Sequence, residues 1–506
     1  MKDKIKQLKE LSKIIAEHKS NGQKIVHCHG VFDLLHIGHI KHFEEAKTFG
    51  DILIVSITPD EFVNKGPGRP VFTTSLRLEA LAALQSVDYV VANNLPSAEE
   101  IIKFLKPDIY LKGPDYKDHL KDITGKINDE ESSVKSIGGE IQYTEDITFS
   151  SSSLLNKYGS LYSQDQEAFI RSIAKNNSFD SINQKIDSLK NLKVLIVGET
   201  IIDEYVFCEA LGKSGKEPVL VLRDLETQKY LGGVLAIARH LNDFCGNVSV
   251  LSYLGENNEY KSFIENNIEE NIHLNFFNKS NSPTIVKRRF VDNVDRKKVL
   301  GVYSINDDVL KENEDDKFIE SFDKLSKEHD LVIVSDYGHG IVTPRIAEHI
   351  SNSEKFVSLN AQVNAANIGT HNIRKYKDIY CLIINETELQ HEMRQREGDV
   401  LKMAAKLRGL INANYISVTR GKEGAFLLNN RKLPVLCPGF ATQVVDKIGS
   451  GDALLALLSA CLYSKIDDDL SLFIASIAAA QSVETIGNSV PVNKVMLLKI
   501  ISHFLK

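Results

Sequence analysis

The chain contains no Cys-x-x-Cys pair; its six cysteines are scattered at positions 28, 208, 245, 381, 437 and 461. That spacing argues against a disulfide framework or a cysteine zinc site and fits a reducing, cytoplasmic setting. Basic residues are not in excess. Sixty-one Lys and Arg against 68 Asp and Glu leave a net charge of −7, so neither nucleic acid nor a membrane surface, whose phosphates attract a basic face, is an expected partner. No run of about 18 apolar residues exists to span a bilayer. The N-terminal "MKDKIKQLKELSKIIAEHKSNGQ" has no apolar core of the signal-peptide kind. Its Ile5, Leu8, Leu11 and Ile15 fall instead on one stripe of a helix. No internal repeat is present.

What remains is a globular chain. Its 506 residues, 42% of them hydrophobic, exceed one ordinary domain and can fill two or three cores. "KIVHCHG" (24–30), "DILIVSIT" (51–58), "VDYVVA" and "IYLKG" read as strands with helices between them, the pattern of a doubly wound parallel sheet. The alternation fades after "SSSSLLNKYG". A first domain is therefore expected over 1–157, then a polar, partly helical linker over 158–191. From "KVLIVGETIID" (193–203) the alternation resumes through "VSVLSYLG", "LVIVSDYG", "KFVSLN", "YCLIIN" and "YISVTRG", giving a larger α/β domain over 192–506. In it "PVLVLRDLETQKYLGG" and "TIVKRRFVDNVDRKKVLGVY" have the look of edge strands or hairpins, suited to a small lid.

In "VFDLLHIGHIKHFEEAK" (31–47), His36 and His39 flank Gly38 just after a strand. A spacing of three sets both on one face of a first helical turn. Free N–H groups and the dipole favour an anion there, and Gly38 lets a nucleotide approach the backbone. Two surface histidines at a helix start would look the same in isolation.

The surrounding residues decide. "GVFDLLHIGHIKHFEEAKTFGDILIVSI", "KGPGRPVFTTSLRLEALAALQSVDYVV", "LKGPDYKDH" and the serine run, nearly all of 24–157, resemble the cytidylyltransferase-like nucleotidyltransferases. Gly68-Arg69-Pro70, Arg77 and "KGPDYK" bring the stretch closest to the adenylyltransferase half of enzymes that make ADP-heptose. The resemblance implies that His36 and His39 bind the triphosphate and stabilise the α-phosphorus, and that Lys47 reaches a phosphate. It implies nucleotide contacts at Gly30, Phe32, Gly38, Lys112, Asp115 and Ser150, Ser151 and Ser152, and second-substrate contacts at Asp33 and Arg77. His29 stands where those enzymes have a polar amide, and the base, ATP or CTP, stays open. A phosphate monoester is already ionised at neutral pH, so such a transfer needs positioning and charge stabilisation and no general base.

"DKIGSGDALLALLSA" (446–460) is a glycine-rich turn opening a helix, where the N–H groups of Gly449, Ser450 and Gly451 can cup a phosphoryl group. It resembles the second signature of the ribokinase (PfkB) family, and the resemblance runs over about 300 residues. It implies that Asp452 is the base, required because a sugar hydroxyl is a neutral nucleophile. It also implies substrate contacts at Asp203, Gly232, Gly233 and Asp336, with Asn385 and Glu388 of "NETE" organising Mg²⁺ and phosphates indirectly. Thr419 and Gly421 of "VTRGKEGAFL" would lie beside the nucleotide. Three departures stand out: Ala236 replaces the Asn after Gly-Gly, Lys447 replaces a small residue, and "LNAQVNAANIG" (359–369) replaces Asp-Pro-Lys. The amides Asn360, Gln362, Asn364 and Asn367 are accordingly expected to line an altered sugar pocket.

Together the two stretches imply two α/β domains, a Rossmann-like nucleotidyltransferase followed by a ribokinase-like kinase with a small lid. ADP-heptose enzymes usually carry the kinase first. The expected function is a bifunctional, cytoplasmic sugar-activating enzyme for surface polysaccharide such as lipopolysaccharide or capsule, and a homodimer or higher homo-oligomer. The kinase would use ATP and Mg²⁺ on a sugar or sugar phosphate, with a heptose 7-phosphate at C1 as the leading substrate. The transferase would couple the sugar 1-phosphate to ATP or CTP. An alcohol-phosphate cytidylyltransferase fused to a kinase-like domain of altered or lost activity is the alternative, and a carbohydrate-binding regulator with one dead domain a third reading.

Overall fold

The computed structural model describes residues 2–63, 70–94, 97–113, 126–144, 162–363, 367–368, 371–430 and 433–505. They form two compact units, Met1–Ser163 with Leu498–Lys506, and Gln164–Leu497. Among the described residues no helix is long and apolar enough to cross a membrane.

The first unit is built on β1 (Ile25–Gly30), β2 (Ile52–Ile57), β3 (Tyr89–Ala92), β4 (Ile109–Lys112) and β5 (Glu140–Tyr143), ordered β3-β2-β1-β4-β5 and parallel throughout. β1 and β2 are apolar along most of their length because helices cover both faces. Val26, Cys28, Leu53 and Val55 pack against Phe43 and Ala46 of the helix Ile37–Thr48. Ile25, Ile52, Ile54 and Tyr110 pack against Leu11 and Ile15 of the helix Leu8–Ser20. From β1 the chain winds outward through β2 and β3, then returns to β4 on the other side. At such a reversal the carboxyl ends of adjacent strands diverge and open a crevice, and the helix Ile37–Thr48 begins beside it.

The second unit has a nine-stranded sheet and a four-stranded one. The large sheet runs β10 (Ile272–Lys279), β9 (Asn247–Gly255), β6 (Lys193–Gly198), β13 (Leu331–Asp336), β14 (Phe356–Ala361), β15 (Cys381–Asn385), β16 (Tyr415–Thr419), β17 (Ala425–Asn429) and β18 (Val435–Cys437). The first seven are parallel and the last two antiparallel. The small sheet is β12 (Lys298–Ser304), β11 (Ile285–Asp292), β7 (Thr200–Lys213) and β8 (Leu220–Gly233) in that order. This is the lid expected from the hairpin-like stretches.

Two features differ from the sequence reading. "KVLIVGETIID" is not one strand: β6 ends at Gly198, and β7 leaves the large sheet for the lid. Gly198 has φ +144°, and a Cβ there would overlap the Ser335 carbonyl. The next side chain, Glu199, is buried and accepts the N–H groups of Tyr337 (2.9 Å) and His339 (3.1 Å), so the chain is pulled across the end of β13 and redirected. Part of the stretch read as a linker is ordered within the second unit as the helices Gln164–Asn176 and Phe179–Ser188, which bury Ile170, Ile173, Ile182 and Ile186.

Candidate functional site

In the first unit the turn after β1 is bent by positive φ at Phe32 (47°) and Leu34 (54°). Gly30 makes room for the Phe32 ring, which would lie 3.0–3.3 Å from a Cβ at that position. Phe32 packs edge-on against His39 (centroids 5.6 Å apart) and Phe43 (4.9 Å). His36 caps its own helix, with Nδ1 accepting the Gly38 N–H at 3.1 Å. An acceptor at Nδ1 leaves the proton of a neutral ring on Nε2. The His36 and His39 rings stack at 3.9 Å, so one face of the first turn offers two imidazoles at the β1–β4 crevice.

Sequence reasoning missed His42, which continues the period of three. Its Nδ1 lies 3.1 Å from Thr144 Oγ1, and burial, with the Lys112 charge, pushes its pKa down to about 4. Lys112 ends β4, the strand beside β1, and its ammonium is paired with Glu130 at 2.6 Å.

Three residues expected to contact nucleotide or substrate have protein partners in the structure. Lys47 lies at the far end of the helix from His36, eleven residues and roughly 16 Å away at 1.5 Å per residue; its ammonium is held by Asp88 and the Asp51 carbonyl. Arg77 is only 1% exposed. Its guanidinium is taken up by the carbonyls of Val31 (2.6 Å) and Phe72 (3.0 Å) and by Asp60 (2.6 Å). It braces the turn that precedes the histidines. Asp33, equally buried, accepts the N–H groups of Val71 (2.8 Å) and Phe72 (3.0 Å), tying the same turn to the segment before the helix Thr74–Ala82. Asp115, Ser150, Ser151 and Ser152 lie outside the described residues, as do Gly68, Arg69 and Asn364.

In the second unit a cavity of about 670 Å³ collects residues from the large sheet, the lid and the glycine-rich turn. Its wall includes Asn385 at the end of β15 with Glu388 just beyond it, and Thr419 at the end of β16 with Gly421 just beyond it. It also includes Asp203 of β7 and Gly233 at the end of β8. Asn360 and Gln362 line the wall, and Gly449, Ser450, Gly451 and Asp452 open the helix Ser450–Tyr463. Gly449 takes φ +93°, and a Cβ there would overlap Asn488 Oδ1, so only glycine fits this turn.

Asn385 and Glu388 form a capping box, each side chain accepting the other's backbone N–H at 2.8 Å. Burial pushes the Glu388 pKa up to about 7, against the N–H groups of Asn385 and Val363 that favour the anion. Asp452 accepts the Tyr337 hydroxyl at 2.9 Å. Its own pKa is about 7. Desolvation is the main cause, and the Asp203 charge adds to it, while Tyr337, Lys287 and Asn488 pull the other way. A carboxylate balanced near neutrality beside an anion-binding turn can exchange a proton at working pH.

Other expected residues are placed otherwise. Asp336 is buried outside the cavity wall, where Lys375 (2.6 Å), the Tyr376 hydroxyl (2.7 Å) and the Gly338 N–H (3.0 Å) surround its carboxylate. Burial would raise its pKa; the Lys375 and His371 charges overcome that and lower it. Gly232 is not on the wall either, but a Cβ there would overlap Asp203 Oδ2. Asn367 turns its amide to the carbonyls of Tyr337 (2.8 Å) and Gln362 (2.9 Å), so it holds the loop and not a sugar. Ala236 is buried in the helix Val234–Asn242. The sequence reading overlooked Tyr337, Lys287, Arg289 and Asn488, all on the wall. Lys287 and Arg289 had a signal: residues two apart on a strand share a face.

Two expected outcomes follow from these placements. Lys47→Met should lower the stability of the first unit by roughly 0.2–1 kcal/mol, the worth of an exposed ion pair, and leave nucleotidyl transfer essentially intact; a large loss of turnover with normal melting would return Lys47 to the reaction. Asp452 titrates near 3.8 when unfolded and near 7 in the fold. Between those values the folded state keeps a proton that the unfolded chain has lost, so this group's contribution to stability falls as pH rises. Ligand-free Asp452→Asn should therefore melt above wild type at pH 8 and level with it at pH 4, read by thermal denaturation at both. An equal difference at the two pH values would exclude the shift.

Comparison with known proteins agrees with the two units. Residues 191–494 match the model of the pfkB family of carbohydrate kinases, and residues 27–158 that of cytidylyltransferase-like proteins. The Bifunctional protein HldE of Aliarcobacter butzleri (strain RM4018) is 42% identical over 139 residues, 27% of this chain and 29% of that protein. Its counterpart in Campylobacter jejuni (strain RM1221) is 28% identical over 299 residues, 58% of this chain and 62% of that protein. Each match thus spans less than two thirds of the relative. Phosphofructokinase-2 from Escherichia coli, in complex with potassium, superposes with a TM-score of 0.50 at 13% identity, covering 62% of this chain and all of that one; at that identity the likeness is one of fold. With the family's segment spanning more than half of its length, the chain belongs to the pfkB family of carbohydrate kinases and carries a cytidylyltransferase-like domain ahead of the kinase.

Proposed function

We propose that the chain is a bifunctional sugar-activating enzyme. The observation that carries this reading is Asp452, poised near neutrality and held by Tyr337 at the mouth of the Gly449–Gly451 turn. In the kinase reaction a sugar hydroxyl oxygen attacks the γ-phosphorus of ATP. Asp452 takes the hydroxyl proton, the turn's N–H groups stabilise the charge on the moving phosphoryl group, and ADP leaves. In the first unit an oxygen of the resulting sugar 1-phosphate attacks the α-phosphorus of ATP or CTP and pyrophosphate leaves. The stacked His36 and His39 stabilise that centre, and no base is needed. The relatives and the two-domain composition support a heptose 7-phosphate, phosphorylated at C1, as the acceptor, and a sugar nucleotide for surface polysaccharide as the product. Use of ATP and six buried cysteines, all free, support a cytoplasmic setting.

Mg²⁺ is expected to arrive with the nucleotide. Among the described residues no three His, Cys, Asp or Glu side chains cluster as a cage, and Mg²⁺ is commonly held by phosphates, water and one or two carboxylates. Glu388 on the cavity wall fits a contact through water. The ion would supply charge neutralisation on the phosphates. Retention of Asp452, Asn385 and Glu388 in one cavity favours an active kinase over a kinase-like domain that only binds.

The two reactions should separate by mutation. Asp452→Asn should abolish ATP-dependent phosphorylation and leave transfer from a supplied sugar 1-phosphate nearly intact. His39→Ala should lower transfer by about 10²-fold, the cost of one donor to a developing charge, while phosphorylated sugar accumulates. In wild type the kinase kcat/KM should rise with pH through about 7 as Asp452 loses its proton. Phosphorylation surviving in Asp452→Asn, or more than half of transfer surviving in His39→Ala, would refute the corresponding role.

A further inference from the structure

Tyr337, the first residue after β13, is restrained on every side. Its N–H goes to the buried Glu199 at 2.9 Å, and its carbonyl accepts the Asn367 amide at 2.8 Å. Gly338 has φ +71°, and a Cβ there would overlap the Asn367 nitrogen, so that approach depends on the glycine. The Tyr337 ring is 5% exposed and packs with Ile201 of β7 and Ile285 of β11. Lys287 Nζ lies 5.0 Å from the ring centroid. Two lid strands, the end of the central strand and the loop that carries Asn367 thus fix one side chain. Burial and the Asp452 and Asp203 charges push the pKa of its hydroxyl up, against the Ser335 hydroxyl, so it keeps its proton.

That proton is directed at Asp452 Oδ1, 2.9 Å away. A hydroxyl that donates to one carboxylate oxygen restricts the rotation of the carboxylate and favours its charged form. Other groups act on Asp452 as well. Desolvation and the Asp203 charge oppose the anion, while Lys287 and the Asn488 amide favour it. Lys447 is on the same wall, beside the glycine-rich turn. Lys287 and Lys447 are long and cationic; Tyr337 is neutral and is pinned through its own backbone. A base is effective only when its oxygen is aimed at the proton it takes. We infer that Tyr337 is the positioning residue of the kinase base: its hydroxyl holds the Asp452 carboxylate in the rotation that meets the acceptor's hydroxyl. The inference rests on the kinase reading above and adds to it the device that aims the base.

Tyr337→Phe removes the hydroxyl and keeps the ring. Kinase kcat/KM would be measured on the full chain with ATP and heptose 7-phosphate, between about pH 5 and 10. At neutral pH the variant should lose about 10–100-fold, the worth of a hydrogen bond to a charged group, mostly in kcat. The midpoint of the rise with pH should move up by roughly one to two pH units, so much of the loss returns in alkali. No loss, or a loss equal at every pH, would overturn the assignment. Thermal melting supplies a second readout that needs no turnover. Asp452 titrates near 3.8 unfolded and near 7 in the fold, and losing a donor to the anion raises the folded value further. The stability deficit of Tyr337→Phe should therefore be constant between about pH 5 and 7 and grow above that. In an Asp452→Asn background the deficit should not change with pH. Glu199, raised by burial and by Asp336, is common to both backgrounds, so the comparison isolates Asp452. A wild type that phosphorylates nothing, yet shows the growing deficit, would refute the kinase reading and keep the coupling of Tyr337 to Asp452. A deficit indifferent to pH in the Asp452 background would refute the coupling whatever the turnover.

Discussion

One buried carboxylate organises the kinase unit. Glu199 sits where β6 gives way to β7, and it accepts the backbone N–H groups of Tyr337 and His339 just past β13. Burial and the nearby Asp336 raise its pKa, so the group is costly where it stands and is kept by those two donors. Three consequences come from that single anchor. The chain turns out of the central sheet and begins the lid, which delivers Asp203. The turn after β13 is fixed, which places the Tyr337 hydroxyl on Asp452. The same tyrosine ring then supports Lys287 from the other sheet. Without the anchor, Asp452, Asp203 and Lys287 would have no common frame.

On the proposed reading the two units answer different chemical problems with the same device. In each, a helix begins beside the carboxyl ends of a parallel sheet and presents the group proposed to bind the anion. At Ile37–Thr48 that group is a pair of stacked imidazoles, suited to a nucleophile that arrives ionised. At Ser450–Tyr463 it is a turn of backbone N–H groups with a carboxylate one step further on, suited to a nucleophile that must lose a proton. On the proposed reading, the histidine cap and the Gly449 turn match two different nucleophiles.

The two turns were legible in the sequence because local geometry leaves little choice of residue. Gly449 must be glycine against Asn488, and the His-x-Gly-His spacing fixes a helical face. The parallel strands were legible for a similar reason, since both faces are buried and the runs are apolar. Charged residues were less so. Lys47, Arg77, Asp33 and Asp336 carry suitable chemistry, but a sequence does not show which neighbour claims a charge, and Asp88, Asp60, two backbone N–H groups and Lys375 claimed these. The break between β6 and β7 was hidden because "GETIID" has strand-forming residues on both sides of it. Lys287 was hidden because alternation in "TIVKRRF" is what any lid strand shows.

Asp446, the first residue of the glycine-rich turn, carries a different kind of information. Its carboxylate accepts the Tyr205 hydroxyl at 2.7 Å from β7 and pairs with Lys298 at 2.5 Å from β12, while the N–H groups of Ile448 and Gly487 bond it at 3.1 and 3.2 Å. One side chain thus fastens the inner strand β7 and the edge strand β12 of the lid to the glycine-rich turn. The lid is a lever with its latch on the glycine-rich turn. Any swing that carries β12 away must first part Lys298 from Asp446, so the position of the lid and the shape of that turn are mechanically the same variable.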